Sequence, residues 1–373
     1  MKAGWHTRSF EDCIEKVTYT TKIQRKEFLD AGAFPVVSQE DAFINGYWDG
    51  ADDVFRVETP LVIFGDHTKV LKYIDFDFVL GADGVKLLLP REFLVPKFFY
   101  YQLQTAKLDS LGYARHYKLL KELEIKYPGK AEQRRIVAIL DEAFDGIAKA
   151  RANAELNRQN ARALFESHLQ SVFTQRGEGW VEASIGDICT LRSGTSLCVS
   201  LEKSEGEIPY VKVSDMTYTG NDTEIVASSR YLNMADIGKN AVFPTGTTIF
   251  PKRGGAILTN KKRLTALPIC ADLNIMGVIP PSNMHPGLLY FYFLNIDMRL
   301  IGSGSSIPQI NNYDIAPLKI SFPESQENQK KIVRQLEGLA GKTQRLESLY
   351  QQKLAALDEL KKSLLHQAFS GQL

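Results

Sequence analysis

The chain has 373 residues, 44% hydrophobic and 10% aromatic, enough apolar material for more than one ordinary core. Its formal net charge of +1 excludes a polybasic tail and leaves a local basic surface as the route to any nucleic acid. The segment Met1 to Asp12 lacks the apolar centre of an export signal, no run of about 18 apolar residues occurs, and four cysteines (Cys13, Cys189, Cys198, Cys270) fall in no C-x-x-C or metal-like spacing, so a soluble protein of the reducing cytoplasm, not in a membrane, is expected.

In chain order, Trp5 with Ser9 and Asp12 opens a first globular region. Apolar runs at Val36-Val37, Leu61 to Phe64, Phe76 to Leu80 and Val85 to Leu89, broken by Gly65-Asp66, Gly81-Ala82 and Pro90, predict short strands. The aromatic segment Phe93 to Leu103 predicts a helix. Side chains suited to DNA are sparse here: Gln39, His67, Lys69, Lys72 and the run Arg115-His116-Tyr117-Lys118, which serves equally well as support for the hinge that follows. That hinge reads Ile125-Lys126-Tyr127-Pro128, then Glu132-Gln133-Arg134-Arg135-Ile136-Val137. Beyond it Ile136, Leu140, Ala143, Ile147, Ala150, Ala154, Asn157, Ala161 and Leu164 recur at steps of four and three, a heptad seam on a proline-free helix.

The same order then returns. Trp180 with Ser184 and Asp187 opens a second globular region, with strands predicted at Ile208 to Val213, Thr247 to Phe250 and Met276 to Ile279 and an aromatic helix at Leu288 to Leu294. A second hinge reads Ile320-Ser321-Phe322-Pro323, then Asn328-Gln329-Lys330-Lys331-Ile332-Val333. Its helix carries Ile332, Leu336, Leu339, Thr343, Leu346, Tyr350, Lys353, Leu357, Leu360 and Leu364 at heptad spacing. The helix ends also match, Leu164, Ser167, Leu169 and Phe173 against Leu360, Ser363, Leu365 and Phe369. Gly146 and the pair Gly338/Gly341 weaken the helices at roughly 1 kcal/mol each relative to alanine. The expectation is an α+β fold with an internal pseudo-two-fold repeat, in which two mixed α/β domains are separated by two long helices paired as an antiparallel coiled coil. Its boundaries are residues 1–128, 129–176, 177–323 and 324–373, and the helix-pairing or partner-binding residues are Ile136, Leu140, Ile147, Leu164, Ile332, Leu336, Leu346, Leu357 and Leu360.

Catalytic signatures are missing. There is no G-x-x-x-x-G-K-[ST] loop and no H-E-x-x-H, and Ile279-Pro280-Pro281-Ser282 lacks the polar and aromatic flanks of an amino-methyltransferase motif and reads as a turn. Glu124-Ile125-Lys126 has a nuclease-like Glu-x-Lys spacing, but its counterpart Leu318-Lys319-Ile320 lacks the carboxylate, and an ordinary strand is the better reading. One stretch suits phosphate: Lys252-Arg253-Gly254-Gly255 through Asn260-Lys261-Lys262-Arg263 places five cations in twelve residues around two glycines. An arginine there has the geometry to read guanine in a bidentate manner, and Asn260 or Asn274 that to read adenine. A solvated basic hairpin is the plainer alternative.

Taken together, the Trp-x-x-x-Ser-x-x-Asp openings at Trp5 and Trp180, the hinge Pro128 to Val137, the run Gly302 to Asn311 and the ending Leu365-His366-Gln367-Ala368-Phe369-Ser370-Gly371 resemble the specificity subunits of type I restriction-modification systems over almost the whole chain. The resemblance implies two target-recognition domains, each reading half of a split, asymmetric site in double-stranded DNA, with the helices fixing the unread spacer. It further implies two methyltransferase subunits carrying AdoMet, and restriction translocase-nuclease subunits using ATP and Mg, as partners. The chain itself would bind no cofactor and catalyse nothing. Two departures stand out: the second hinge reads Ser325-Gln326-Glu327-Asn328-Gln329 rather than Glu-Gln, and the first domain has no counterpart of Lys252 to Arg263. A non-catalytic coiled-coil adaptor with protein-binding ends is the competing reading, and steep salt dependence of binding separates DNA from protein targets.

Overall fold

A computed structural model describes residues 4–82, 84–109, 112, 114–174, 177–301 and 308–373; the run Gly302 to Ile307 therefore lies outside the described residues. The helices are α1 (Pro96–Gln104), α2 (Tyr117–Lys121), α3 (Lys130–Thr174), α4 (Ile185–Ile188), α5 (Pro286–Asn295), α6 (Asn312–Ile315) and α7 (Gln326–Ser370). Among the described residues no helix is long and apolar enough to cross a membrane. The chain divides into two compact units, Met1–Leu156 with Gln351–Leu373, and Asn157–Tyr350, so both long helices are shared between units.

In the first unit His6–Ser9 pairs antiparallel with Glu124–Tyr127, closing the unit where α3 begins. Glu124 and Lys126 alternate outward with buried Ile125 and Tyr127, the pattern of a half-buried strand. The central antiparallel sheet runs Ile14–Glu15, Val85–Pro90, Leu61–Gly65, Leu71–Ile74. A second, mixed sheet holds Lys22–Ile23, Phe78–Gly81, Phe34–Val37 and Gly46–Trp48. The run Leu61 to Phe64 is apolar throughout because both faces are covered. Val62 and Phe64 join Phe98 and Phe99 of α1, while Leu61 and Ile63 join Val37, Phe78 and Leu80 of the second sheet. Proline at the first position of α1 sets the helix without losing a bond.

The second unit repeats this plan. Trp180–Ser184 pairs with Lys319–Pro323. A sheet runs Thr190–Ser193, Ile275–Ile279, Thr248–Pro251, Arg263–Thr265, Glu224–Ile225, beside another of Tyr231–Leu232, Ile208–Val211, Ile269–Ala271 and Val242–Phe243. Phe250, Met276 and Val278 meet Leu289 and Phe293 of α5; Ile249 and Ile275 meet Val211 and Ile269 on the other face. The α+β class and its internal repeat are as the sequence indicates.

Within each unit the long helices run antiparallel. In the first, Leu140 shares a core with Leu365 and Ala368, Arg151 pairs with Asp358, and Phe369 meets Phe98 at 5.1 Å. In the second, Leu169 and Phe173 share a core with Val333 and Leu336, Arg162 Nη2 lies 2.7 Å from Glu347, and Phe173 meets Tyr292 at 5.5 Å. The seam differs in part from the expected one. Ile136, Leu140 and Leu336 are buried and Ile147, Ile332 and Leu357 half-buried, but Leu164, Leu346 and Leu360 are 66%, 40% and 47% exposed. Along α7 the row Leu336, Thr343, Tyr350, Leu357 is covered as expected; its companion row starts with Leu339 and Ala340, both half-buried, and continues with Glu347 and Leu354 instead of Leu346 and Lys353. On α3, Arg158 and Phe165 take the places expected for Asn157 and Leu164. A step of three and a step of four both return to one helix face, so leucine positions alone leave the seam uncertain by one residue.

A repeated clamp joins each long helix to its unit. Buried Gln133 accepts from Val95 N at 2.7 Å and donates to Phe93 O at 3.0 Å and Pro128 O at 2.8 Å. Buried Gln329 accepts from His285 N at 2.7 Å and donates to Asn283 O at 3.1 Å and Pro323 O at 2.9 Å.

Cys13, Cys189 and Cys270 are buried and Cys198 is exposed. Burial pushes the first three thiols up, to about 11, 12 and 11. A maleimide or disulfide reagent at pH 8 is expected to modify Cys198 alone in the folded chain and all four thiols in denaturant; rapid labelling of a second thiol without denaturant contradicts this packing.

Candidate nucleic-acid interface

In each unit two neighbouring strands of the main sheet are joined by a connection in the same topological place. In the first unit Leu61–Gly65 and Leu71–Ile74, beside Val85–Pro90, are linked by a tight turn. In the second, Thr248–Pro251 and Arg263–Thr265, beside Ile275–Ile279, are linked by the basic stretch. Lys69, at φ +62°, and Asn260, at φ +52°, are the non-glycine residues with left-handed backbone among those described, and each sits shortly before the second strand of its pair. The basic stretch thus has a counterpart in the first unit, hidden in the sequence because the two connections differ in length.

The first-unit turn is rigidly mounted. Lys69 N donates to Gly65 O and Gly65 N to Val70 O, both at 2.8 Å. Gln39 accepts from Thr68 Oγ1 on its carbonyl at 2.6 Å and from His67 N on its side chain at 3.2 Å. Left-handed Gly84 packs against that amide so closely that a side chain there would displace it. Buried Asp66 accepts from His116 N on its carbonyl at 2.8 Å and from Tyr117 N on its carboxylate at 2.7 Å, which brings the exposed Arg115 beside the turn, with exposed Lys118 one helical turn on. Lys69 Nζ reaches Leu108 O at 3.4 Å.

Lys72 is a correction to the surface expectation. It is 3% exposed, and its ammonium donates to the carbonyls of Ala42 and Phe43 and to Asn45 Oδ1, anchoring that loop from beneath. Burial pushes its pKa down to about 8 against the pull of Glu40 and Asp41.

Several cations of the second-unit stretch are likewise interior. Lys252, 6% exposed, donates to Ser193 Oγ at 2.7 Å, and burial, aided by the charge of Arg253, lowers its pKa. Lys262, 2% exposed, donates to Asn260 Oδ1 at 2.7 Å and Ile296 O at 2.6 Å; burial pushes it down to about 8, with Asp297 opposing and Arg299 adding to the shift. Arg263 gives its guanidinium to the carbonyls of Asn221, Lys262 and Met216. Asn260 Oδ1 also accepts from Met298 N at 2.9 Å, so the oxygen that bidentate contact with adenine requires is committed inside the protein. Exposed Asn274 donates to Asp272 Oδ1 at 2.6 Å. Arg253 and Lys261 are half-exposed, and Arg253 Nε, though buried, has no acceptor among the described residues.

Between α5 and the long helices of the second unit lies a cleft of about 640 Å³, floored by Leu169, Tyr290 and Phe291. Its lining carries Glu166, Asp222, Glu224, Glu337 and Glu347 against Arg162, a net negative charge that repels phosphate.

A family model described as the type I restriction modification DNA specificity domain matches residues 2–158 and 177–355. The specificity subunit of the Escherichia coli type I restriction enzyme EcoR124I/EcoR124II is 25% identical, with 85% of this chain and 82% of that protein covered. The MjaIX specificity subunit of Methanocaldococcus jannaschii is 23% identical over 64% of this chain and 61% of that protein. Among solved structures, a chain from a study of complex assembly and conformational transition in the type I R-M system matches with a TM-score of 0.77 at 19% identity, covering 100% of this chain and 99% of that one. The HsdS subunit from Thermoanaerobacter tengcongensis matches at TM-score 0.58 and 18% identity, covering 100% and 98%.

Proposed function

Because the chain belongs to the family of type I restriction modification DNA specificity domains, we propose that each of its two units reads one half of a split, asymmetric DNA site. Its role is DNA sequence specificity, as a recognition subunit and not an enzyme, with DNA and modification and restriction subunits as partners. The observation that supports a two-reader mechanism is the repeated connection between neighbouring strands of the main sheet, which lies in the same topological place of each unit and carries Lys69 in the first and Arg253 and Lys261 in the second. In the first unit the DNA-facing groups are Lys69, on a turn that Gln39 holds in place, with Arg115 and Lys118. In the second they are Arg253, Lys261 and Asn274, while Lys252, Asn260, Lys262 and Arg263 hold the loop that presents them, as Lys72 holds its own loop. Two methyltransferase subunits, supplying AdoMet, and translocase-nuclease subunits, supplying ATP and Mg, complete the complex. The exposed leucines Leu164, Leu346 and Leu360, apolar yet outside the helix seam, are the docking positions we assign to them.

A single-molecule methylation map of host DNA with and without the gene tests this. Loss of N6-methyladenine from one split motif is the expected result. An unchanged map, with the partner genes expressed, rejects the reading.

A further inference from the structure

We propose that Leu258 is a specificity-determining residue of the second unit, reading the 5-methyl group of a thymine in the major groove. This rests on the second unit being a DNA reader. Gly254–Thr259 forms a short 3-10 turn within the basic stretch, ended by left-handed Asn260. Adjacent residues point in different directions on such a turn. Ile257, 2% exposed, enters the core beneath, and that fixes Leu258, 62% exposed, on the outside.

The polar groups around it are turned inward. Thr259 Oγ1 donates to Ala256 O at 2.7 Å, Asn260 Oδ1 takes Lys262 Nζ and Met298 N, and Arg263 donates to three carbonyls. What the loop offers a partner is an apolar tip between two half-exposed cations, Arg253 and Lys261. Flanking cations direct such a tip to a polyanion, and the chemistry an aliphatic tip distinguishes on DNA is the thymine methyl. The groove follows from the target: the thymine 5-methyl is displayed in the major groove, which at about 12 Å is wide enough to admit a helical element, and is absent from the minor groove. The mounting makes the contact selective, since a tip held by Ile257, Asn260 and Lys262 cannot slide to a neighbouring base pair.

The test uses the complex of the full chain with its methyltransferase partners and duplexes bearing the mapped site. Each thymine of the two half-sites is replaced singly by deoxyuridine, which lacks the 5-methyl group and nothing else. The unaltered chain is expected to lose about fourfold in affinity at one thymine of one half-site, the worth of one methyl removed from water. Leu258→Ala is expected to bind the thymine and uracil duplexes alike at that position, Leu258→Met to keep the discrimination, and the other half-site to behave identically in all three proteins. Uracil effects that are the same in the unaltered chain and Leu258→Ala at every position overturn the inference, as does a site whose second-unit half contains no thymine. Absence of any split motif would instead strike the two-reader mechanism itself, so the two failures are distinguishable.

Discussion

Gln329→Ala is expected to destabilise the second unit by about 2–4 kcal/mol, and Gln133→Ala the first by a similar amount. Each glutamine is fully buried and makes three hydrogen bonds to backbone: one N–H at the cap of the aromatic helix and two carbonyls, one of them that of the hinge proline. Alanine removes all three at once and leaves those groups in a dry interior, where each unpaired polar group costs more than an average hydrogen bond contributes. Glutamate at the same place keeps the size but loses the amide donor and buries a charge against carbonyls, so Gln329→Glu is expected to be worse than alanine above neutral pH. The effects are local to their units, because the groups bound by Gln133 and those bound by Gln329 lie in different ones. Hydrogen exchange locates them: protection of the Val95 amide falls in the Gln133 variant and that of His285 in the Gln329 variant. Unfolding midpoints within experimental error of the unaltered chain would refute the clamp as a structural element.

That clamp shows where the sequence stops being informative. The repeat of Glu132-Gln133 as Asn328-Gln329 is visible in the letters, and its irregular first member looks like a defect in the second hinge. In the structure the glutamine carries the repeat, whereas Glu132 makes a surface pair with Arg135 that its counterpart can lose at little cost. The strand runs and the aromatic helices were legible because burial on both faces requires unbroken apolar sequence, as at Leu61 to Phe64. The seam was legible to within one residue: Leu336, Thr343 and Leu357 are on it, while Leu346 and Leu360, equally apolar, are outside. The site was less legible still. A lysine at the surface and one drawn inside to anchor a loop are the same letter, and what separates Lys72 and Lys262 from half-exposed Lys69 and Lys261 is the group of acceptors converging on each buried ammonium, three on Lys72 and two on Lys262, where Lys69 reaches Leu108 O at 3.4 Å. The equivalence of the turn at Lys69 with the stretch at Asn260 was invisible because it resides in strand pairing and in a backbone angle.

Inserting seven residues into α3 and seven into α7 at facing positions, for instance beside Arg151 and Asp358, is expected to change the accepted spacer by about three base pairs and to leave both half-sites unaltered. A helix gains 1.5 Å per residue, so a heptad adds about 10 Å, and DNA advances about 3.4 Å per base pair. The arithmetic holds only if the helices are stiff and paired. Each is continuous over 45 residues, and within each unit the two run antiparallel with buried partners. Seven residues preserve the face that meets the partner helix, whereas two or five would rotate the leucines away from it and are expected to lower stability as well. Insertion into one helix alone mismatches the pair and is expected to abolish specific methylation. The readout is the methylation motif of cells carrying each variant. A motif with an unchanged spacer and altered half-sites would mean that the distance between the half-sites is set by the reading units or the partner subunits, and that the helices are connectors without a measuring role.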